Sequence, residues 1–91
     1  IMIDASHANS RKQPARQVAV AEDIASQVER GDRRIVGLML ESFIEAGRQD
    51  VVDKDKLVYG QSITDPCMDW EQTIATLRTL ADAVQRRRHA A

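Results

Sequence analysis

Two short apolar runs, each followed by a polar turn and an amphipathic stretch, dominate the hydrophobic pattern of the chain. The first run is Ile1-Met2-Ile3 and the second extends from Ile35 to Leu40. A continuous apolar run of this length, without alternation, is typical of a parallel strand that is covered on both faces. The pattern therefore predicts an α/β fold made of two successive βα units.

The stretch after the first run carries the signals of a helix that begins near residues 10 to 14 and ends at Gly31. Pro14 is tolerated only in a first helical turn, Ser10 with Gln13 has the form of a capping box, and glycine is the usual residue after a helix. Apolar residues then recur at helical spacing, which predicts one buried face. The apolar positions are Val18, Ala21, Ile24, Ala25 and Val28, and the positions expected to face water are Arg16, Gln17, Glu22, Asp23, Gln27 and Glu29.

The segment between Ser42 and Asp69 is the least regular part of the chain and follows the second predicted strand. A long connection at the carboxyl end of a strand is usually functional, so we expect a long βα loop that folds over an active site. Order returns after Pro66, where Asp69 and Gln72 predict the cap of a second helix. The apolar stripe expected on that helix consists of Trp70, Ile74, Leu77, Ala81 and Val84.

Composition adds only modest limits to this pattern. The chain has 91 residues, of which 43% are hydrophobic and 30% charged, so it fits one domain and shows no transmembrane signature. A formal net charge of −1 gives no electrostatic reason to expect nucleic acid or an anionic membrane as a partner. The single Cys67 excludes an internal disulfide, and with no export leader in view we expect a cytoplasmic protein. Because the chain opens inside a strand without an initiator methionine, we expect it to be a piece of a longer protein.

Two residues able to bind a metal or move a proton stand at the ends of the predicted strands. His7 follows the first strand, and Glu41 comes directly after the second. In parallel sheets and barrels, side chains at the carboxyl ends of neighbouring strands converge on one mouth. A carboxylate directly after six apolar residues is costly unless a cation meets it, which favours a site at Glu41. A single histidine at a strand end is nevertheless more often a hydrogen-bonded structural residue.

Three further residues keep their alternatives open. Asp65 precedes a proline, so it is equally well explained as a turn aspartate. Cys67 is close enough to suggest a fourth ligand, although a small buried hydrophobic residue is its commoner role. Strand parity puts Asp4 on the opposite side from His7, where a carboxylate would need a partner, so we expect an irregularity near Ala5-Ser6.

Three strings in this sequence closely resemble the carboxy-terminal part of the class I 3-deoxy-D-arabino-heptulosonate 7-phosphate (DAHP) synthases. They are MIDASHANSRKQ at 2–13, GLMLES at 37–42 and YGQSITDPCMDWE at 59–71. The resemblance implies a (β/α)₈ TIM barrel, with residues 1–91 as the carboxy-terminal part of its single domain, the last two βα units. It also implies a divalent metal held by a cysteine, a histidine, a glutamate and an aspartate. By motif match the last three are His7, Glu41 and Asp65, while the cysteine lies outside this chain and is not replaced by Cys67.

The same resemblance implies an activity. It is the metal-dependent condensation of phosphoenolpyruvate with erythrose 4-phosphate to DAHP and phosphate, the entry to the shikimate pathway and the aromatic amino acids. The mixed ligand set suits Mn, Fe, Co or Zn. We expect the intact enzyme to be a homo-oligomer and the 91-residue chain alone to be inactive. The alternatives are an enzyme like 3-deoxy-octulosonate 8-phosphate synthase, against which the YGQSITD motif argues, and a non-catalytic association module.

Overall fold

The computed structural model describes residues 1–10 and 13–89, and within these ranges it has two strands and three helices. The elements are β1 (Met2–Asp4), α1 (His7–Ser10), α2 (Pro14–Glu29), β2 (Gly37–Met39) and α3 (Trp70–His89), with a short 3₁₀ turn at Lys54–Lys56. The order of elements confirms the predicted α/β class. Strand β1 is as long as its apolar run but starts one residue later, whereas β2 is shorter than the run from Ile35 to Leu40 that predicted it.

The two strands pair in parallel, and α2 and α3 pack against one face of the sheet that they form. The register joins Met2 to Gly37, Ile3 to Leu38 and Asp4 to Met39. Helix α2 connects the strands, as a parallel pair requires. The buried core lies between sheet and helices and consists of Ala5, Ile24, Ala25, Val28, Ile35 and Ala83. This arrangement leaves the carboxyl ends of β1 and β2 side by side.

Helix α2 begins and ends close to the predicted positions. Pro14 is its first residue, and Gln13 occupies the N-cap position without a side-chain capping bond. The predicted capping box, with Ser10 as the cap, is therefore wrong. At the other end Gly31 has a φ of 100°, its N–H donates to Val28, and the N–H of Asp32 donates to Gln27. These two bonds form a Schellman motif, which confirms the predicted end at Gly31.

Helix α3 has the predicted cap but buries a different face. The N–H of Asp69 donates to Gln72 Oε1 at 3.1 Å, and the N–H of Gln72 donates to Asp69 Oδ1 at 2.8 Å. The residues buried along the helix are Thr73, Thr76 and Ala83. Trp70 and Leu77, predicted on the buried stripe, are 57% and 51% exposed. The buried face is thus rotated by roughly a quarter turn from the most apolar one.

The long βα loop between β2 and α3 is folded back on itself by backbone hydrogen bonds. Isolated bridges pair Ser42 with Met68, Gly47 with Cys67, and Arg48 with Ser62. The N–H of Gly47 donates to Cys67 at 2.8 Å, and the return bond from Cys67 to Gly47 is 3.1 Å long. The two arms of the loop therefore run together, and the second arm returns residues 62–68 to the end of β2.

The fold is elongated for its length. Its Cα radius of gyration is 15.2 Å and its extents are 57 × 22 × 16 Å, whereas a compact domain of this length has a radius of about 12 Å. Two strands give only one small sheet. In the part of the chain that the structure describes, no helix combines the length and apolar character needed to cross a membrane.

Candidate metal centre

A sharp turn after β1 brings His7 to the carboxyl end of the sheet. The strand ladder ends where the N–H of Ala5 donates to Met39 at 2.9 Å. Ser6 is buried in a bend, and His7 has a φ of 49°, a value that non-glycine residues seldom adopt. Helix α1 starts at this residue. The irregularity predicted near Ala5-Ser6 is confirmed, and it aims the imidazole across the end of β2.

Glu41 lies just beyond β2, and its backbone is held by a residue of α2. Its N–H donates to Gln17 Oε1 at 2.8 Å, and its carbonyl accepts from Gln17 Nε2 at 3.2 Å. The Gln17 residue is only 1% exposed, so its predicted position facing water is wrong. The sequence contained a signal for this, because Gln17 continues the spacing of Ala21, Ile24 and Val28 along one helix face.

Asp65 reaches the same place on the returning arm of the long loop. That arm is fixed near Asp65 by Arg48, whose Nε donates to the carbonyl of Thr64 at 2.7 Å. The N–H of Thr64 also donates to the buried Ser62 hydroxyl at 3.1 Å. The position of Asp65 therefore depends on the folding of the loop.

The three residues predicted from the strand ends and motifs lie together. His7 Nε2 is 2.9 Å from Glu41 Oε1 and 3.1 Å from Asp65 Oδ2. One nitrogen and two carboxylate oxygens lie within 4.8 Å of one another. The side chains of Glu41, His7 and Asp65 are 19%, 38% and 58% exposed, respectively. The Glu41 side of the cluster is thus mostly buried, and the Asp65 side is open to solvent.

A fourth side chain, Asp4, contacts the other nitrogen of the imidazole. Its Oδ2 lies 3.0 Å from His7 Nδ1, while its Oδ1 accepts from the Ser6 N–H at 2.8 Å and from the Ser6 hydroxyl. These bonds from Ser6, followed by the bond from His7, lower the pKa of Asp4. Regular strand parity would place Asp4 and His7 on opposite sides, and the irregularity at Ala5-Ser6 brings them together instead. The spacing Asp-x-x-His at a strand end is the signal that could have found it.

The charges of the cluster act on one another. The pKa of His7 is raised, first by its hydrogen bond to Asp4 and then by that to Asp65. The pKa of Glu41 is also raised, because partial burial of its carboxylate outweighs the attraction of His7. The carboxylates of Asp4, Glu41 and Asp65 surround the His7 imidazole and therefore favour positive charge at this site.

Cys67 does not join the cluster. Its half-buried Sγ donates to the backbone carbonyl of Asp65 at 3.4 Å, and burial raises the pKa of the thiol. A raised pKa disfavours the thiolate, which is the form that binds metal. Among residues 1–10 and 13–89, the group that can offer convergent metal-binding atoms is therefore His7, Glu41 and Asp65.

The donor set fits a divalent cation. One imidazole nitrogen and two carboxylate oxygens suit a first-row transition metal, and metal-bound histidines usually donate their second N–H to a carboxylate. Asp4 stands in that position, 3.0 Å from Nδ1. On the Asp65 side the cluster is open to solvent.

Comparison with known proteins identifies the family from which this arrangement comes. The sequence model of the DAHP synthetase I family matches residues 1–78. The Trp-sensitive phospho-2-dehydro-3-deoxyheptonate aldolase of Buchnera aphidicola subsp. Baizongia pistaciae is 51% identical over 87 residues. The enzyme of the same name from Escherichia coli K12 is 47% identical over 87 residues. Each alignment covers 96% of this chain and 25% of the relative.

The fold has a close counterpart among solved structures. The phospho-2-dehydro-3-deoxyheptonate aldolase of Francisella tularensis SCHU S4 superposes with a TM-score of 0.89 at 48% sequence identity. The match covers 94% of this chain and 25% of that enzyme, so the chain spans about a quarter of the length of its relatives. Since the family's sequence model extends over most of the chain, from residue 1 to residue 78, the chain belongs to the DAHP synthetase I family.

Proposed function

We propose that this chain forms the carboxy-terminal quarter of a DAHP synthase and supplies three ligands of its catalytic metal. The observation that carries the proposal is the convergence of His7, Glu41 and Asp65 within 4.8 Å at the carboxyl ends of two parallel strands, in a chain of this family. In this proposal β1, α2, β2 and α3 are the last two βα units of a single (β/α)₈ barrel. Active sites of such barrels lie at that end of the strands.

The metal is proposed to be Mn, Fe, Co or Zn, with a fourth ligand, the family's cysteine, outside these residues. When bound, such a cation acts as a Lewis acid that polarises and orients the aldehyde oxygen of the substrate. His7 would bind through Nε2 while Asp4, 3.0 Å from Nδ1, fixes the ring orientation. Glu41 and Asp65 would supply the negative charge that holds the cation.

The substrates are proposed to be phosphoenolpyruvate and erythrose 4-phosphate. C3 of phosphoenolpyruvate attacks the aldehyde carbon, water adds at C2, and inorganic phosphate leaves to give DAHP. The contribution of this chain is positioning, because the aldehyde must be held within reach of C3. We place the enzyme in the cytoplasm as a homo-oligomer. A net charge of −1 for these residues gives no electrostatic reason to add nucleic acid or an anionic membrane as a partner.

The proposal is tested in the full natural polypeptide that contains these residues. Glu41→Gln keeps the shape of the side chain and removes its charge, so bound metal and turnover should both fall steeply. The matched control is Glu45→Gln, which removes the same charge from an exposed residue of the following loop. Metal content is measured after dialysis, and DAHP formation is assayed with erythrose 4-phosphate.

The assay also separates the alternatives. Activity with arabinose 5-phosphate in place of erythrose 4-phosphate would support a 3-deoxy-octulosonate 8-phosphate synthase. Full metal content and activity in the Glu41→Gln protein would contradict the ligand assignment. A protein that neither binds divalent metal nor turns over either sugar phosphate would be an association module.

A further inference from the structure

Gln17 is a buried polar residue of α2 that takes no direct part in the proposed metal chemistry. Both hydrogen bonds of its side chain go to the backbone of one residue, Glu41. Its Oε1 accepts from the N–H of Glu41 at 2.8 Å, and its Nε2 donates to the carbonyl of Glu41 at 3.2 Å. A primary amide has the same donor and acceptor pair as a peptide group. Gln17 therefore pairs with Glu41 as a neighbouring strand would.

The backbone of Glu41 needs such a partner because it lies beyond the strand ladder. Strand β2 ends at Met39, and the last ladder bond is the one from Ala5 to Met39. The carbonyl of Glu41 also accepts from the N–H of Met68 at 2.9 Å. The N–H of Glu41 donates to Gln17. The peptide groups on either side of the Glu41 Cα are thus fixed by α2 and by the segment before α3.

We propose that Gln17 is a positioning residue for Glu41, holding its backbone so that its carboxylate meets His7 and the metal. This inference rests on the proposed function, since it assigns Gln17 a task at that site. The Gln17 residue is 1% exposed and fully enclosed, so its amide has a fixed orientation. Glu41 Oε1 lies 2.9 Å from His7 Nε2, and a displacement of the Glu41 backbone would be carried directly to that oxygen.

The test uses Gln17→Met in the full natural polypeptide. Methionine has a similar length and a similar helix propensity, so α2 is retained while both bonds to Glu41 are lost. We expect the dissociation constant for Mn²⁺, measured from free Mn²⁺ by electron paramagnetic resonance, to rise about 10-fold or more. The matched control is Ile24→Val, which alters the buried face of the same helix, 3% exposed, and should leave Mn²⁺ affinity unchanged. Melting temperatures of the metal-free proteins show whether the two variants are folded to a similar degree.

A double-mutant cycle distinguishes positioning from a general structural effect. If Gln17 acts through the Glu41 carboxylate, Gln17→Met should change Mn²⁺ affinity much less when Glu41→Gln is already present. An equal fold-change in both backgrounds would overturn the inference, as would wild-type affinity in the Gln17→Met protein. Loss of affinity in Glu41→Gln with none in Gln17→Met would leave the proposed function intact and refute only the role of Gln17.

A second variant keeps the test decisive should the methionine variant fold poorly. Gln17→Asn retains the amide, but its side chain is one methylene shorter and cannot reach both Glu41 atoms. We expect weaker Mn²⁺ binding in this variant too, and wild-type binding would overturn the inference.

Discussion

His7 Nδ1 lies 3.0 Å from Asp4 Oδ2, and this contact connects the last residue of β1 to the first residue of α1. Asp4 is also bonded to the backbone and hydroxyl of Ser6. The carboxylate thus closes the turn and orients the imidazole at the same time. In the proposed metal centre its role would be that of the outer partner commonly found beside a metal-binding histidine.

The first prediction concerns this contact. Asp4→Asn puts an amide where the carboxylate faces Nδ1, so the ring is held less firmly and its Nε2 becomes less basic. We expect Mn²⁺ affinity in the full natural polypeptide to fall about 10-fold to 100-fold. Asp82→Asn, the same change at an exposed site on α3, is the control. Equal affinities in the two variants would show that Asp4 serves the turn alone.

The second prediction concerns the long loop. Gly60 has a φ of 79°, and an added Cβ would lie 2.9 Å from Ile44 Cβ. Gly60→Ala therefore combines backbone strain with a clash. Gly31→Ala is the matched control, because Gly31 also has a positive φ but nothing lies within 4 Å of an added Cβ.

Denaturant unfolding of the two glycine variants separates the two effects. Gly31→Ala should lower the free energy of unfolding by about 1 kcal/mol through strain alone, and Gly60→Ala should lower it further. If the free energy of unfolding falls equally in both variants, Ile44 moves aside without cost. The loop would then be less tightly packed than its contacts indicate.

The third prediction is a pH dependence. Hydrogen bonds from Arg34 lower the pKa of Asp32 to about 2 from 3.8. A carboxylate with a depressed pKa stabilises the fold fully above its unfolded value, and that contribution is lost as the pH falls from about 4 towards 2. Asp32→Asn should therefore be less stable than wild type at neutral pH, and the gap should narrow in this acidic range. Urea unfolding midpoints of both proteins, measured across this pH range, test the direction of the effect. A stability difference between the two proteins that widened on acidification would refute the prediction.

The fourth prediction is that the 91 residues alone self-associate and do not form DAHP. Exposed apolar side chains flank the small sheet, with Ile1 72%, Met2 68% and Val36 80% exposed. Among the described elements the sheet has two strands, and both edges are open to pairing with other chains. Light scattering measures the association. A compact monomer with a cooperative melt would contradict this prediction.

The features that could be predicted from sequence are those fixed by neighbouring residues. The cap formed by Asp69 and Gln72 and the helix end at Gly31 depend on bonds within a few positions, so the local pattern predicted them. The strand ends placed His7 and Glu41 at the same edge of the sheet by geometry. Asp65 came from its motif, because its approach to His7 depends on the folded loop.

The missed features arise from tertiary contacts that override simple polarity. Gln17 was predicted to face water because it is polar, although the unpaired backbone of Glu41 gives it a buried partner. On α3, periodicity favoured the most apolar face, but Ser42 bonds Thr73 at 2.6 Å and the threonine side of the helix turns inward. Gln17 and Thr73 are thus buried where a specific partner meets each of them, whereas the hydroxyl of Thr76, buried on the same side of α3, has no hydrogen-bond partner in the part of the chain that the structure describes.

The spacing of the three clustered residues has a consequence for folding. His7 and Asp65 are 58 positions apart, and Glu41 lies between them on a third segment. A cation held by all three would act like a chemical cross-link, closing two long loops that the unfolded chain would otherwise explore freely. Chelation would then remove more than a catalytic group. It would restore the chain entropy of the long loop, and the arm that carries Asp65 would be the first to separate from the sheet.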